Sequence, residues 1–276
     1  MTTAAEAALD RIDESVRPTT GDYERLHAKA DEVANALTRN GACAECRLIG
    51  SVARLTALRG YSDVDLLAIM SAPNGPRAAI AALTAALTAA GFAARTDEIV
   101  AEVDFGRSPA VDVMPAIHHD RSLGYLIPAG RDDEWQVFQP EPLKELTERS
   151  MRRLGPQFAS VVRLAKLWNI TRDVGFKSSD LEELASIALS DLHAASSHSR
   201  CLTRVLALSA DWIGGDLDTQ RKMGRPFPSS GHDARTLAVV KDSIAVTRAM
   251  RYALHDDEAH GLMEVFFGGE LVERVH

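Results

Sequence analysis

Basic residues are in short supply in this chain, and so is cysteine. Its 31 lysines and arginines face 39 acidic residues, a net charge of −8. That shortage excludes a protein that coats nucleic acid non-specifically, because counterion release needs a basic surface. An anionic ligand must instead find a local pocket of cations or metal. Three cysteines in 276 residues do not make a disulfide scaffold. No apolar run approaches the roughly 20 residues that span a membrane. The opening residues, MTTAAEAALDRIDE, carry acidic side chains where a secretory peptide has a basic start and an apolar block. A cytoplasmic protein with no membrane partner is therefore expected. With 46% hydrophobic and 25% charged residues, the rest is ordinary globular composition, enough for one large domain or two modest ones.

The pattern along the chain predicts helices over Ala4 to Val16 and Tyr23 to Thr38; in the second, Leu26, Ala30, Val33 and Leu37 form one apolar stripe. Strands are predicted over Cys46 to Ile49 and Val64 to Ile69, then a helix over Arg77 to Ala90. Further strands follow over Phe92 to Arg95, Ile99 to Phe105 and Ala110 to Met114. After Pro140 the texture becomes helical. Pro156 opens one helix, and Ser179 to Glu182 has capping-box spacing for another running to about His193. Helical patterns continue through Ser199 to Ile213 and Arg235 to Leu254, around a loop that includes Arg225 to Gly231. The expectation is an α+β protein: residues 1–145 a core of mixed sheet with the N-terminal helices, residues 146–276 a helical domain.

The chemistry is concentrated between Leu48 and Met70. Gly50-Ser51 follows a short apolar run, and Asp63-Val64-Asp65 opens a second one. Glycine lets backbone approach a phosphate closely, and Ser51 adds a hydroxyl donor. Asp63 and Asp65, two apart at a strand's mouth, project from one face, so their carboxylates converge on a metal pair. Magnesium suits such hard oxygen ligands. A third carboxylate would complete the site: Asp112 leads, with Asp104 as competitor. Lys166 on an otherwise apolar helix face and Ser178 just before a helix start are positions suited to an anion, although an exposed lysine and a simple cap explain them as well.

The segment GSVARLTALRGYSDVDLLAI resembles the signature of the polymerase β-like nucleotidyltransferases. It is most similar to the branch holding the cGAS/DncV-like nucleotidyltransferases (CD-NTases) and oligoadenylate synthetases. Further landmarks match in order: Ala110 to Ala116, Tyr125 to Pro128 with Trp135 and Gln139-Pro140, Val162 to Asn169, and Lys177 to Glu182. The resemblance implies a polymerase β-like core with a C-terminal helical lobe and an active site in the cleft between them. It implies that Gly50, Ser51, Lys166 and Ser178 bind the donor triphosphate, ATP foremost. Asp63, Asp65 and Asp112 would be catalytic and hold two Mg2+ ions, with Mn2+ as the alternative, and Asp112 would help deprotonate the attacking ribose hydroxyl. The product would be a cyclic oligonucleotide messenger of antiphage defence. No residue identifies a regulatory protein partner. The Arg225 to Gly231 region departs from the family, which usually carries an Asp-Pro segment there, and leaves the acceptor-selecting residues unassigned.

Two other readings compete. A nucleotidyltransferase acting on RNA ends or on protein would be marked by a basic groove, and the acidic composition opposes long nucleic acid as partner. A catalytically inert binding module would not need all three carboxylates. The Cys43-Ala44-Glu45-Cys46 motif lacks a second pair at zinc spacing and reads as ordinary buried cysteine. His118-His119-Asp120 reads as a turn exposing two histidines.

Overall fold

A computed structural model describes residues 3–71, 73–106, 109–119, 124–130, 133–192, 196–224 and 234–269. Asp120, His193 and the Arg225 to Gly231 segment lie outside the described residues. The fold is α+β, and contacts divide it into two units: Pro18–Lys144, and Met1–Arg17 together with Glu145–His276. The first helix, α1 (Ala4–Val16), therefore belongs with the helical unit and not, as the sequence order suggested, with the sheet.

In the sheet unit, α2 (Thr20–Arg39) opens with a capping box in which Thr19 and Asp22 satisfy each other's backbone amides. Then come β1 (Glu45–Ile49), the single turn α3 (Gly50–Ala53), β2 (Val64–Ile69), α4 (Pro76–Ala89), β3 (Ala94–Thr96), β4 (Ala101–Val103), β5 (Val111–His119), β6 (Gly124–Pro128) and β7 (Trp135–Phe138). The strand order is β1-β2-β5-β4-β3, with β6 on β5 and β7 on β6. Only β2 and β5 run parallel; the other pairs are antiparallel.

Strand alternation sorts the sheet's two faces. Val64, Leu66 and Ala68 of β2 pack with Val111 and Val113 of β5 against Leu26, Val33 and Leu37 of α2 and Leu83 and Leu87 of α4. Leu67 and Ile69 point the other way, into a smaller cluster with Ala116, Tyr125 and Ile127. That second face also receives Asp65 and Asp112, because each lies one residue out of phase with the core positions. Pro115 is tolerated inside β5 because its position falls where β4 has ended and β6 has not begun: β4 pairs only Val111 to Val113, β6 only Ile117 to His119.

In the helical unit, the division falls within α5 (Pro140–Leu154), which is followed by α6 (Pro156–Thr171), α7 (Ser178–Ala188), α8 (His198–Ile213), α9 (Leu217–Met223), α10 (Ala234–Met250) and α11 (Asp256–Phe267). Two charged contacts explain why α1 joins it. Arg163 of α6 grips Asp13 with both forks, at 2.7 and 2.9 Å. Glu6 accepts the first amides of α8, from His198 at 2.7 Å and Ser199 at 3.1 Å.

Several local expectations are corrected. The capping box at Ser179 does not form: α7 starts at Ser178 after Lys177, without a side-chain cap. Glu182 is fully buried and accepts a hydrogen bond from Lys166 at 2.7 Å. The helix ends at Ala188, short of His193. His118 and His119 are not a turn; they extend β5 and pair with Tyr125 and Gly124 of β6. Strands β6 and β7 and helices α9 and α11 had no counterpart in the sequence reading.

Candidate active site

The Gly-Ser turn is built around a close approach. Gly50 has φ +71°, and a Cβ there would lie 1.7 Å from Asp65 Oδ2. Glycine is thus required twice: for the left-handed backbone and for the space Asp65 occupies. The turn hands β1 over to α3, where Ser51 is 8% exposed and Val52 anchors the turn in the core. Gly50 therefore stands beside Asp65.

The strand register then assembles a row of charges. Asp65 of β2 pairs with Asp112 of β5, Asp112 with Glu102 of β4, and Glu102 with Arg95 of β3. Asp63 stands just before β2, and its carboxylate accepts the Ala110 amide at 3.0 Å at the start of β5. The crowding shows in proton affinity. Loss of hydration, then Asp63, Asp65 and Glu102, push the Asp112 carboxyl up from 3.8 to about 7. Asp63 is also raised, chiefly by desolvation, with the Ala110 amide pulling the other way. Asp104 is not in the row. It follows β4, and its carboxylate accepts the Gly106 amide at 2.6 Å.

Glu102 escaped the sequence reading, although a signal was there: it alternates with Ala101 and Val103, both buried, so it shares a face with Asp112. Arg95 Nη2 donates to both Glu102 oxygens at 2.7 Å. Beside them opens a cavity of about 530 Å³, lined by Tyr61, Asp63, Arg95, Glu102, Asp104 and Ala110 among others.

The donor set suits magnesium. Asp63, Asp65 and Asp112 supply only oxygen, and the raised proton affinities of Asp63 and Asp112 come first from loss of hydration. Among the described residues no three His, Cys, Asp or Glu side chains stand together as a group that could hold a metal ion; magnesium retains water and substrate phosphate among its ligands and needs fewer from the protein.

Lys166 and Ser178 lie in the helical unit. Lys166 is buried, with Nζ 2.7 Å from Glu182 Oε1, and this contact ties α6 to α7. Ser178 is the first residue of α7. Cys43 and Cys46 lie with their sulfurs 3.4 Å apart, while Cys201 belongs to the other unit. No helix among the described residues is long and apolar enough to cross a membrane.

By sequence, the chain matches no family model and no curated protein. Its structure is similar to several solved ones. CdnC of E. coli MS115-1, solved with ATP, aligns with a TM-score of 0.76 at 18% identity, over 98% of this chain and 99% of that one. The Bradyrhizobium diazoefficiens CD-NTase CdnG, in complex with GTP, aligns with a TM-score of 0.75 at 14% identity, over 98% and 97%. The Vibrio cholerae cyclic AMP-GMP synthase DncV, a prokaryotic cGAS homolog, gives 0.61 at 17% identity, over 97% and 85%. At these identities the likeness speaks to architecture, and the chain has the fold of the cGAS/DncV-like nucleotidyltransferases.

Proposed function

We propose that this chain is a CD-NTase-type nucleotidyltransferase that joins nucleoside triphosphates into a cyclic oligonucleotide messenger of antiphage defence. The observation that carries this reading is the in-register pair Asp65–Asp112 on parallel strands, with Asp63 at the same end and Gly50 pressed against Asp65. A ribose hydroxyl oxygen bonds to the α-phosphorus of a bound triphosphate, the α–β phosphoanhydride bond breaks, and pyrophosphate leaves. Such in-line transfer depends on positioning and charge neutralisation rather than on covalent intermediates.

Asp63, Asp65 and Asp112 would hold Mg2+, which, when bound, neutralises charge on the phosphates and acidifies the attacking hydroxyl. The Gly50-Ser51 turn holds the donor triphosphate: Gly50 removes the side chain that would block backbone approach, and Ser51 offers its hydroxyl. Asp112 takes the hydroxyl proton, a task for which proton affinity near neutral pH is suited. For Lys166 and Ser178, a role in triphosphate binding rests on the family resemblance. Within their own unit, the Lys166–Glu182 contact holds the start of α7, where Ser178 stands.

The test is incubation with Mg2+ and each α-labelled nucleoside triphosphate, alone and in pairs. A phosphatase-resistant product, identified by mass spectrometry, is expected, and Asp63→Ala or Asp65→Ala abolishes it. Product that survives both substitutions overturns the site. Label moving to added RNA or protein, with no small product, favours the alternative acceptor.

A further inference from the structure

We propose that Cys43 and Cys46 are a redox modification site, a dithiol that hydrogen peroxide converts reversibly into an internal disulfide.

The two residues flank the point where the chain leaving α2 becomes β1. Cys46 is the second residue of that strand and stands opposite Ala68 of β2. Cys43 lies two residues before the strand. Their sulfurs are 3.4 Å apart and a disulfide needs about 2.05 Å, so closure asks for a movement of roughly 1.4 Å. Side-chain rotation covers that distance. The backbone between them is fixed on β2, by the Cys46–Ala68 pairing and by the Ala44 amide, which donates to the Ile69 carbonyl at 2.8 Å. Asp65 stands opposite Ile49 at the other end of β1, so the sulfur pair is separate from the carboxylates.

The pair divides into an attacking and a resolving sulfur. The Cys46 thiol donates to the Cys43 sulfur, and the Glu45 amide donates as well. Together they hold the Cys43 thiol below the ordinary thiol range, against the opposing effect of burial. Cys46 is pushed up, first by the same hydrogen bond and then by burial. The thiolate is the form that attacks, so Cys43 reacts first. It is 6% exposed, which shuts out bulky oxidants and favours one scarcely larger than water.

The Cys43 thiolate attacks one oxygen of hydrogen peroxide. The O–O bond breaks, Cys43 becomes a sulfenic acid, and the departing hydroxide takes a proton from solvent to form water. The Cys46 sulfur then attacks the Cys43 sulfur. The S–S bond forms, the S–O bond breaks, and the Cys46 proton leaves with the hydroxide as a second water. Two thiols lose two electrons, and the peroxide gains them. A metal has too few ligands here, since no group of three His, Cys, Asp or Glu that could hold one occurs among the described residues. Cys201 is the internal control: it lies in the other unit, is 1% exposed, and burial pushes its thiol up to about 11.

The experiment treats the reduced full chain with hydrogen peroxide, quenches with catalase, then unfolds, alkylates and digests with trypsin. Cleavage after Arg39 and Arg47 leaves both cysteines on one peptide, Asn40 to Arg47. That peptide is expected to lose two hydrogens and resist alkylation at least about tenfold sooner than Cys201 oxidises. Dithiothreitol restores it. In Cys46→Ser the reaction stops at a Cys43 sulfenic acid, captured by dimedone. In Cys43→Ser oxidation of Cys46 slows by about tenfold or more. A serine variant that fails to fold leaves the wild-type peptide map to decide. Alkylation of both cysteines after Cys201 has oxidised, a disulfide to Cys201 or between two chains, or a wild-type rate at Cys46 in Cys43→Ser overturns the site.

Discussion

A Cβ on Gly50 would stand 1.7 Å from Oδ2 of Asp65 and 2.6 Å from its Cγ, so the turn and the carboxylate occupy complementary space. Gly41 offers a matched control: its φ of +73° is nearly the same, and a Cβ there meets nothing within 4 Å. Gly41→Ala carries backbone strain alone, about 1–2 kcal/mol, and leaves turnover unchanged. Gly50→Ala carries the same strain and also displaces Asp65. Its expected loss of turnover is about 100-fold or more, the usual consequence of moving a reacting group by an ångström. Urea melts and product formation on the two variants check this. Equal turnover in both would mean that Asp65 does not need its present place.

The Asp112 carboxyl makes the metal-free protein pH-sensitive in a definite sense. Its folded value of about 7 lies above the ordinary 3.8. Between those values the folded protein keeps a proton that the unfolded chain has released, so stability falls as pH rises through the window. The full displacement corresponds to roughly 4 kcal/mol, and solvent screening of a partly exposed group leaves about 2 kcal/mol. Asp112→Asn removes that penalty. In EDTA its stability advantage over wild type should be smallest near pH 4, grow as pH rises and level off by about pH 7, while turnover is lost. Asp22, held low near 2 by Thr19, titrates below this range and does not disturb the comparison. An advantage that shrinks with rising pH would contradict the assignment.

Strong periodicity made most of the sheet unit legible in advance. The apolar stripe of α2 and the continuous apolar run of β2 are dictated locally, and Leu26, Val33, Leu37, Leu66 and Ala68 all lie in one core. The carboxylates Asp63 and Asp65 were readable for the same reason, since they open a strand whose limits the sequence marks. Register was not readable. That Asp112 rather than Asp104 stands beside Asp65 follows from how β2 and β5 pair, a long-range choice that no local pattern records. Glu102 and Arg95 join the row by the same pairing. Strand β6 carries Gly124 and Pro128 at its ends, which read as turn signals; it is held by β5 and by the Arg47–Tyr125 hydrogen bond at 2.5 Å. Glu182 illustrates the opposite error. Its spacing from Ser179 suggested a cap, but a buried lysine on another helix claims it.

That lysine contact separates a structural from a ligand role for Lys166. Both side chains are almost wholly buried, 3% and 0% exposed. Removing one partner from a buried ion pair leaves the other charge uncompensated and costs about 3–5 kcal/mol. Lys166→Met is therefore expected to destabilise by that amount, and Lys166→Met with Glu182→Gln by clearly less. Chemical melts of both variants, paired with triphosphate binding, decide. If the double variant folds and binds triphosphate as wild type does, Lys166 serves α6 and α7 only. If it folds but binds weakly, Lys166 also serves the ligand.

Glu6 makes a sharper case for α1 as part of the helical unit. Its two oxygens separately accept the amides of His198 and Ser199, the first two residues of α8, where the helix has unpaired donors and a positive dipole end. Ser197 caps the next, accepting the Arg200 amide at 3.3 Å, so the α8 start depends on one local and one distant side chain. Glu6→Ala is expected to cost about 2 kcal/mol and Glu6→Gln about 1 kcal/mol, since the amide keeps one acceptor oxygen. Hydrogen exchange should show the loss at the His198 and Ser199 amides while the interior of α8, around Val205 and Leu206, stays protected. Unchanged protection at those two amides in Glu6→Ala would mean that the cap is made by something other than α1.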